Sequence, residues 1–460
     1  MTTHLSFWRF LVATALRRSH SDERNVLEHP WQWHVAIQTM KTIGSILLAF
    51  VCLAANATSK PNILLILADD LGYSDLGCYG GEIRTPNLDA LAADGVRFAQ
   101  FYNSARCCPS RASLLTGQYP HAVGFAGMSG TLPEHCVTIP EVLKPAGYRT
   151  LMCGKWHLGT PGPVKRGFEE FFGMLGGYGS FWNPQLYTRL PKDRPLRPCD
   201  NFYATDAITD YALDFIGEAR RSDKPWFLYL AYNAPHFPLH TPKEEIAKYA
   251  DTYTKGWDAI RVARYQRQKE LGVIDPRWVL SPRSVIPPNA VATMHGWSNK
   301  ENPTWDSIPA ERRADLARRM AVFAAMVDRM DQNIGRVMAD LRRRGEFDNT
   351  LIFFLSDNGA CAEAAGAGYP HQRVEGHSLL PVLRGEMDTP RTLFFEHEKS
   401  RAVRQGKWKL AALAGQPWEL YDMDADGTEL NDLAAGHPDK VKELAALWDG
   451  WWQRTTQKKK

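Results

Sequence analysis

The stretch "KPNILLILADDLG", residues 60 to 72, is a continuous apolar run closed by two acids and a glycine. Side chains alternate faces along a strand, so an unbroken apolar run marks a strand covered on both sides, as in the parallel sheet of an α/β domain. That strand ends where Asp69 and Asp70 begin. Three later segments have the same form: "GYRTLMCGKWHLG" at 147–159, "KPWFLYLAYNAPHFP" at 224–238 and "NTLIFFLSDNG" at 349–359. Each empties into polar, chemically useful residues, and the carboxyl edge of an open α/β sheet is where ligands bind. A single Asp or Asn at a strand end is more simply an Asx turn. Four such ends carrying Asp, Lys, His and Asn favour a site.

The intervening pattern predicts a capped helix from Pro86 to Gly95 and a long amphipathic helix over about Pro309 to Arg344. From about Arg391 the character changes to short aromatic or alternating runs, "RTLFFEHE", "RAVRQ", "KWKLAA" and "PWELYDM", separated by turn residues. They predict an antiparallel meander, covered by a terminal helix in which Trp448, Trp451 and Trp452 pack. The expected fold class is α/β: a large, mixed but mostly parallel central sheet flanked by helices, with a smaller C-terminal antiparallel sheet packed by a helix. The main domain is expected at 58–366 and the C-terminal α+β subdomain at 367–460.

Composition narrows the partners. The 55 basic and 51 acidic residues give a net charge of +4 and are scattered, which argues against nucleic acid. Eight cysteines in 460 residues make neither a disulfide framework nor a paired CxxC zinc site. Residues 40–57, "MKTIGSILLAFVCLAANA", have the layout of a secretory signal peptide, too short for a stable membrane span. Residues 1–39 then read as an upstream extension, and the expected location is periplasmic or secreted, an oxidising and Ca²⁺-accessible compartment.

Asp69, Asp70, Asp357 and Asn358 offer an all-oxygen ligand set, suited to Ca²⁺ or Mg²⁺ rather than zinc. Arg111, Lys155, His157 and His236 supply cationic and proton-handling groups. Together they point to transfer of a sulfuryl or phosphoryl group, which spacing alone does not separate. Singly, each has a plainer reading as a cap, a surface-loop residue or a local ion pair. The remaining motif is "CCPSRASLLTG", residues 107 to 117. Cys107 could be an unmodified buried thiol or could pair with Cys108 or another cysteine, although bridging adjacent cysteines is geometrically awkward.

That motif resembles the signature of the sulfatase family, in which the first cysteine of C-x-P-S-R is oxidised to formylglycine. "ILLILADDLG", "GKWHLG", "APHFP" and "SDNG" resemble the family's other active-site blocks, in the same order. The chain is similar in detail to bacterial arylsulfatases of the alkaline phosphatase-like superfamily. The resemblance implies hydrolysis of organic sulfate monoesters to an alcohol or phenol and sulfate. It implies that Cys107, converted by a formylglycine-generating or anaerobic sulfatase-maturing enzyme, supplies a hydrated aldehyde as nucleophile. Asp69, Asp70, Cys107, Asp357 and Asn358 would hold the metal, Ca²⁺ with Mg²⁺ as the alternative. Arg111 and Lys155 would stabilise the modified residue, His157 would assist its deprotonation, Asp357 would help activate it, and His236 would bind sulfate or protonate the leaving oxygen. The substrate would be a sulfated small molecule or sulfated carbohydrate, with aromatics of "GGYGSFWNPQLY", residues 176–187, as a candidate platform.

There is also a departure. Relatives carry a long segment after "SDNG" that includes a further active-site lysine; here the chain passes to "AGAGYPHQRVEGHSLLPVLRG" with a join near Ala365 to Tyr369, and no lysine lies between Asn358 and Lys399. Missing on the order of a hundred residues exceeds ordinary loop variation, so reduced or absent turnover is expected. The alternatives are a phosphatase or phosphodiesterase of the same superfamily, for which Thr or Ser would replace Cys107, and a catalytically impaired sulfatase-like binding protein.

Overall fold

In the computed structural model, which describes residues 60–197, 201–283, 303–360 and 391–456, the opening apolar run forms β1 (Asn62–Ala68). The signal-peptide and extension assignments, the join near 365–369 and the boundary at 366 lie outside the described residues. Along the chain β1 is followed by α1 (Pro86–Asp94), α2 (Cys107–Thr116), α3 (Ile139–Leu143), β2 (Arg149–Gly154), β3 (Glu170–Gly173) and β4 (Thr188–Leu190). Then come α4 (Ala204–Arg220), β5 (Trp226–Ala231), α5 (Lys243–Ala247), α6 (Gly256–Glu270), α7 (Ala310–Arg343) and β6 (Thr350–Ser356). The C-terminal part supplies β7 (Thr392–His397), β8 (Ser400–Gln405), β9 (Trp408–Ala412), β10 (Glu419–Asp422) and α8 (Pro438–Thr456).

The first sheet has six strands in the order β4-β3-β2-β5-β1-β6. Every pairing is parallel except β3 with β4. Strand alternation divides the core in two. Leu64 and Ile66 of β1 pack with Leu228 and Leu230 of β5 against Ile208 and Phe215 of α4 and Met326, Met330 and Ile334 of α7. Leu65 and Leu67 face the other way, with Phe227, Tyr229 and Met152, against Cys108, Ala112 and Leu115 of α2. Covering both faces is what allows β1 and β5 to be apolar throughout, and each fully buried Leu or Ile contributes about 1.5–3 kcal/mol.

Local signals explain several element ends. The start of α1 is satisfied by a distant residue: Asp331 of α7 accepts from the backbone N–H groups of Asn87 (3.1 Å) and Leu88 (2.8 Å). Thr85, the cap residue by sequence, instead accepts from Gly77 N at 2.9 Å. A Cβ on Gly154, at the end of β2 with φ +112°, would fall 1.8 Å from Ala231 O. Only glycine allows β2 and β5 to approach there.

The second sheet is an antiparallel meander, β10-β9-β8-β7. Phe394, Val403, Leu410 and Leu420 stand in one cross-strand row and pack on Leu444, Trp448 and Trp451 of α8. The fold is therefore α/β with a mixed central sheet and a smaller antiparallel sheet packed by a helix. Both sheets belong to one compact unit. No helix among the described residues is long and apolar enough to cross a membrane.

Candidate active site

Parallel pairing brings the carboxyl ends of β1, β2, β5 and β6 to one edge of the sheet. The residues just beyond them are the predicted ones: Asp69 and Asp70 after β1, Lys155 and His157 after β2, His236 after β5, and Asp357 and Asn358 after β6. Backbone bonds extend the ladders into these turns, from Lys155 N to Ala231 O at 2.7 Å and from Asp357 N to Ala68 O at 3.1 Å. Cys107 is the first residue of α2, and Arg111 lies one turn further along.

At the centre is a wholly buried charge array. Lys155 Nζ donates to both carboxylate oxygens of Asp69, at 2.9 and 2.6 Å. Arg111 Nη2 lies 3.1 Å from Asp69 Oδ1 and 2.9 Å from Asp357 Oδ2, its Nε donates to Asp357 Oδ2 at 3.2 Å, and its Nη1 donates to Lys155 O at 3.0 Å. All four side chains have no solvent exposure. Burial would raise the Asp69 carboxyl, but Lys155 and Arg111 outweigh it and hold that group well below the usual carboxylate range. Asp357 is driven upward, first by burial and then by the adjacent Asp69 charge. Asp70 is raised for the same reasons.

Around this array lie less buried groups. Asp70 N donates to Asp357 Oδ1 at 3.1 Å, Asn358 Nδ2 donates to Asp70 Oδ1 at 2.6 Å, and His236 Nε2 is 3.4 Å from Asp70 Oδ2. Cys107 Sγ is 3.3 Å from His157 Nδ1. Interaction with the adjacent Cys108 thiol, set against burial and joined by the bond to His157, holds the Cys107 thiol below its ordinary value. Cys108 Sγ is directed to Met128 O at 3.3 Å. Asp70 and His157 both adopt left-handed backbone, with φ of 66° and 52°. Non-glycine residues in that region cost free energy and cluster at functional sites.

Two oxygens bear on metal binding. Asp70 Oδ2 and Asn358 Oδ1 are buried and accept no hydrogen bond among the described residues. A buried polar atom without a partner is costly, and oxygen donors beside Asp69 and Asp357 fit a hard divalent cation. The ligand atoms of Asp69, Asp70 and His236 lie within 4.8 Å of one another.

The structure thus brings all the predicted residues to one place. It also adds contacts that the sequence did not give. A Cβ on Gly177 would sit 2.6 Å from Cε1 and Nε2 of His157, so the imidazole occupies the space beside that glycine. Tyr178, 70% exposed, stacks parallel to His236 at 6.4 Å. Asp75 ties Gly72 N (2.8 Å) to Arg264 Nη1 (2.6 Å), bracing the turn after Asp70. "GGYG" marked the aromatic segment but not the contact with His157, and nothing local marks Arg264. A separate cleft of about 520 Å³ lies between residues 102–105 and the antiparallel sheet, lined by Tyr102, Phe395, Ala402 and Ala411.

The chain as a whole is similar to several known proteins. The chain is 39% identical over 337 residues to an uncharacterized sulfatase of Schizosaccharomyces pombe, covering 66% of this chain and 58% of that protein. It is 37% identical over 327 residues to an arylsulfatase of Klebsiella aerogenes, covering 65% of this chain and 66% of that one. The chain thus spans about three-fifths to two-thirds of these relatives' lengths. The crystal structure of Ps i-CgsB superposes with a TM-score of 0.63 at 26% identity, covering 86% of this chain and 94% of that one. The family model described as Sulfatase matches residues 61–383, the region that carries every strand end and side chain of the buried array, and the chain belongs to the sulfatase family.

Proposed function

We propose that this chain hydrolyses organic sulfate monoesters, with Cys107 as the precursor of the nucleophile. The observation that carries the proposal is the placement of Cys107 Sγ at the start of α2, 3.3 Å from His157 Nδ1 and beside the Asp69–Lys155–Arg111–Asp357 array. Oxidised to formylglycine, residue 107 would supply an aldehyde-hydrate nucleophile, and a divalent cation, Ca²⁺ in our reading, would supply charge neutralisation among Asp69, Asp70, residue 107, Asp357 and Asn358.

The chain's own groups divide the work. Lys155 and Arg111 keep Asp69 ionised in a dry setting where it would otherwise take up a proton. Arg111 also bridges Asp69 to Asp357, so three strand ends and α2 share one rigid centre. His157 Nδ1 is placed to hold or receive a proton at position 107. His236, whose side chain is 16% exposed, is open to substrate and suited to sulfate binding or protonation of the leaving oxygen. Tyr178 beside it offers an exposed ring face to an aryl or sugar group. We assign the substrate class as aryl sulfates or sulfated carbohydrates and the location as periplasmic or secreted.

A second reading, an impaired sulfatase-like binding protein, draws on the sequence between Asn358 and Lys399, which lacks lysine. It also draws on β6, half-buried along its whole length and outermost among the described strands of its sheet. Co-expression with a formylglycine-generating enzyme, followed by mass spectrometry of the Cys107 peptide and parallel assays on aryl sulfate and aryl phosphate, tests both. Aldehyde at residue 107 with sulfate release supports hydrolysis; aldehyde without turnover supports the second reading; a persistent thiol overturns the nucleophile assignment.

A further inference from the structure

The β7–β8 hairpin closes with a two-residue turn, Glu398–Lys399, between the paired His397 and Ser400. Both turn residues are left-handed, with φ of 48° and 69°. Such tight turns call for positive φ at both central positions, for which Asn and Gly are suited and Glu and Lys are not. The choice of residues therefore works against the turn.

What Glu398 gains is a contact elsewhere. Its Oε1 lies 2.7 Å from Arg106 Nη2. Arg106 is the residue immediately before Cys107, in extended conformation at φ −138°, and its carbonyl accepts the first helical bond of α2, from Ser110 N at 2.9 Å. Ala105, one step earlier, is also left-handed, at φ 64°. The Arg106 side chain is only 8% exposed, whereas that of Glu398 is 56% exposed. A half-exposed ion pair stabilises little, so the strained turn is not explained by stability. Observed backbone strain of this kind is a pointer to function.

We propose that Glu398 is a positioning residue: through Arg106 it holds the entry to α2 and thereby the placement of Cys107. The significance for catalysis rests on Cys107 being the nucleophile precursor; the positioning itself does not. The hairpin of the antiparallel sheet in this way reaches the centre built on the parallel one.

The test uses the full chain expressed without a maturation enzyme, so that residue 107 stays a thiol and sulfatase activity is not needed. Glu398→Asn suits the left-handed turn and removes the carboxylate. The melting temperature should be unchanged or higher, while alkylation of Cys107 by iodoacetamide, assigned by peptide fragmentation, should become at least about fivefold faster as α2 loses its hold. Cys153, fully buried in β2, is the internal reference and should not change. Lys399→Gly, which relieves the same turn without touching Arg106, should leave Cys107 at the parental rate. Unchanged Cys107 alkylation in Glu398→Asn, a parallel rise at Cys153, or an equal effect from Lys399→Gly would each overturn the proposal.

Discussion

Asn358 Nδ2 lies 2.6 Å from Asp70 Oδ1, and the other oxygen of each side chain, Asn358 Oδ1 and Asp70 Oδ2, is buried and accepts no hydrogen bond among the described residues, with His236 Nε2 3.4 Å from Asp70 Oδ2. A cation binding there adds stability by mass action, about 2.7 kcal/mol at a hundredfold excess over Kd. Ca²⁺ should raise the melting temperature of the chelator-treated protein, measured by calorimetry. Asn358→Ala should remove most of that rise while leaving the cation-free melting temperature within a few degrees. Equal Ca²⁺ responses in the two proteins would place the ion elsewhere.

Lys155 and Asp69 form an ion pair with no exposed surface. Removing one partner of a buried pair leaves an uncompensated charge, typically at a cost of about 3–5 kcal/mol. Lys155→Met should lower stability in urea melts by about 3 kcal/mol, the low end because Arg111 still contacts Asp69. Asp69→Asn in the Lys155→Met background should recover part of the loss, since the stranded charge is then gone.

Gly177 has no positive-φ requirement; it is needed for space, with the His157 imidazole where its Cβ would go. Gly177→Ala should leave the far-UV spectrum and the urea midpoint close to those of the parent but lower kcat on aryl sulfate by at least about tenfold, part of the about 10²–10⁴ that a general base contributes. A variant with full kcat would remove His157 from the reaction.

Burial raises the Glu82 carboxyl, but hydrogen bonds and charge from Arg264 outweigh this and bring it below its ordinary value of 4.5. The folded state thus favours ionised Glu82. Its contribution is complete above pH 4.5 and is lost as pH falls through the lower, folded-state value. Glu82→Gln should flatten the acid limb of a plot of unfolding free energy against pH below 4.5, and should be uniformly less stable above it. An unchanged slope would mean that the Arg264 bonds at 2.7 and 2.8 Å do not persist in solution.

Turnover should be slow even with residue 107 fully converted. Lys155 and Arg111 are committed to Asp69 and Asp357 and are wholly buried, and the sequence offers no lysine between Asn358 and Lys399 to meet the sulfate or leaving oxygen. Missing one such group costs about 10²–10³ in kcat. Steady-state assays beside a full-length arylsulfatase should show a deficit of that order; parity would mean that another cation serves.

Much of this protein was legible before its coordinates. Four apolar runs ending in Asp, Lys, His or Asn specified buried parallel strands and the edge where they open, because an unbroken apolar run is stable only when both faces are covered. The meander and its tryptophan-rich helix were legible too, since a period of two and a helical period leave different patterns. Neither α4 nor α6 was foreseen, nor were the short strands β3 and β4.

Tertiary structure alone decided the rest. That α1 is capped by Asp331, that Arg111 bridges two aspartates 288 positions apart in numbering, and that Glu398 meets Arg106 are facts of strand order and loop path. Residue types announce which chemistry a chain can perform because donors, acceptors and charges are local properties. Which of them stand within 3 Å of one another, dry and committed, depends on how distant segments pack, and packing is a property of the whole chain.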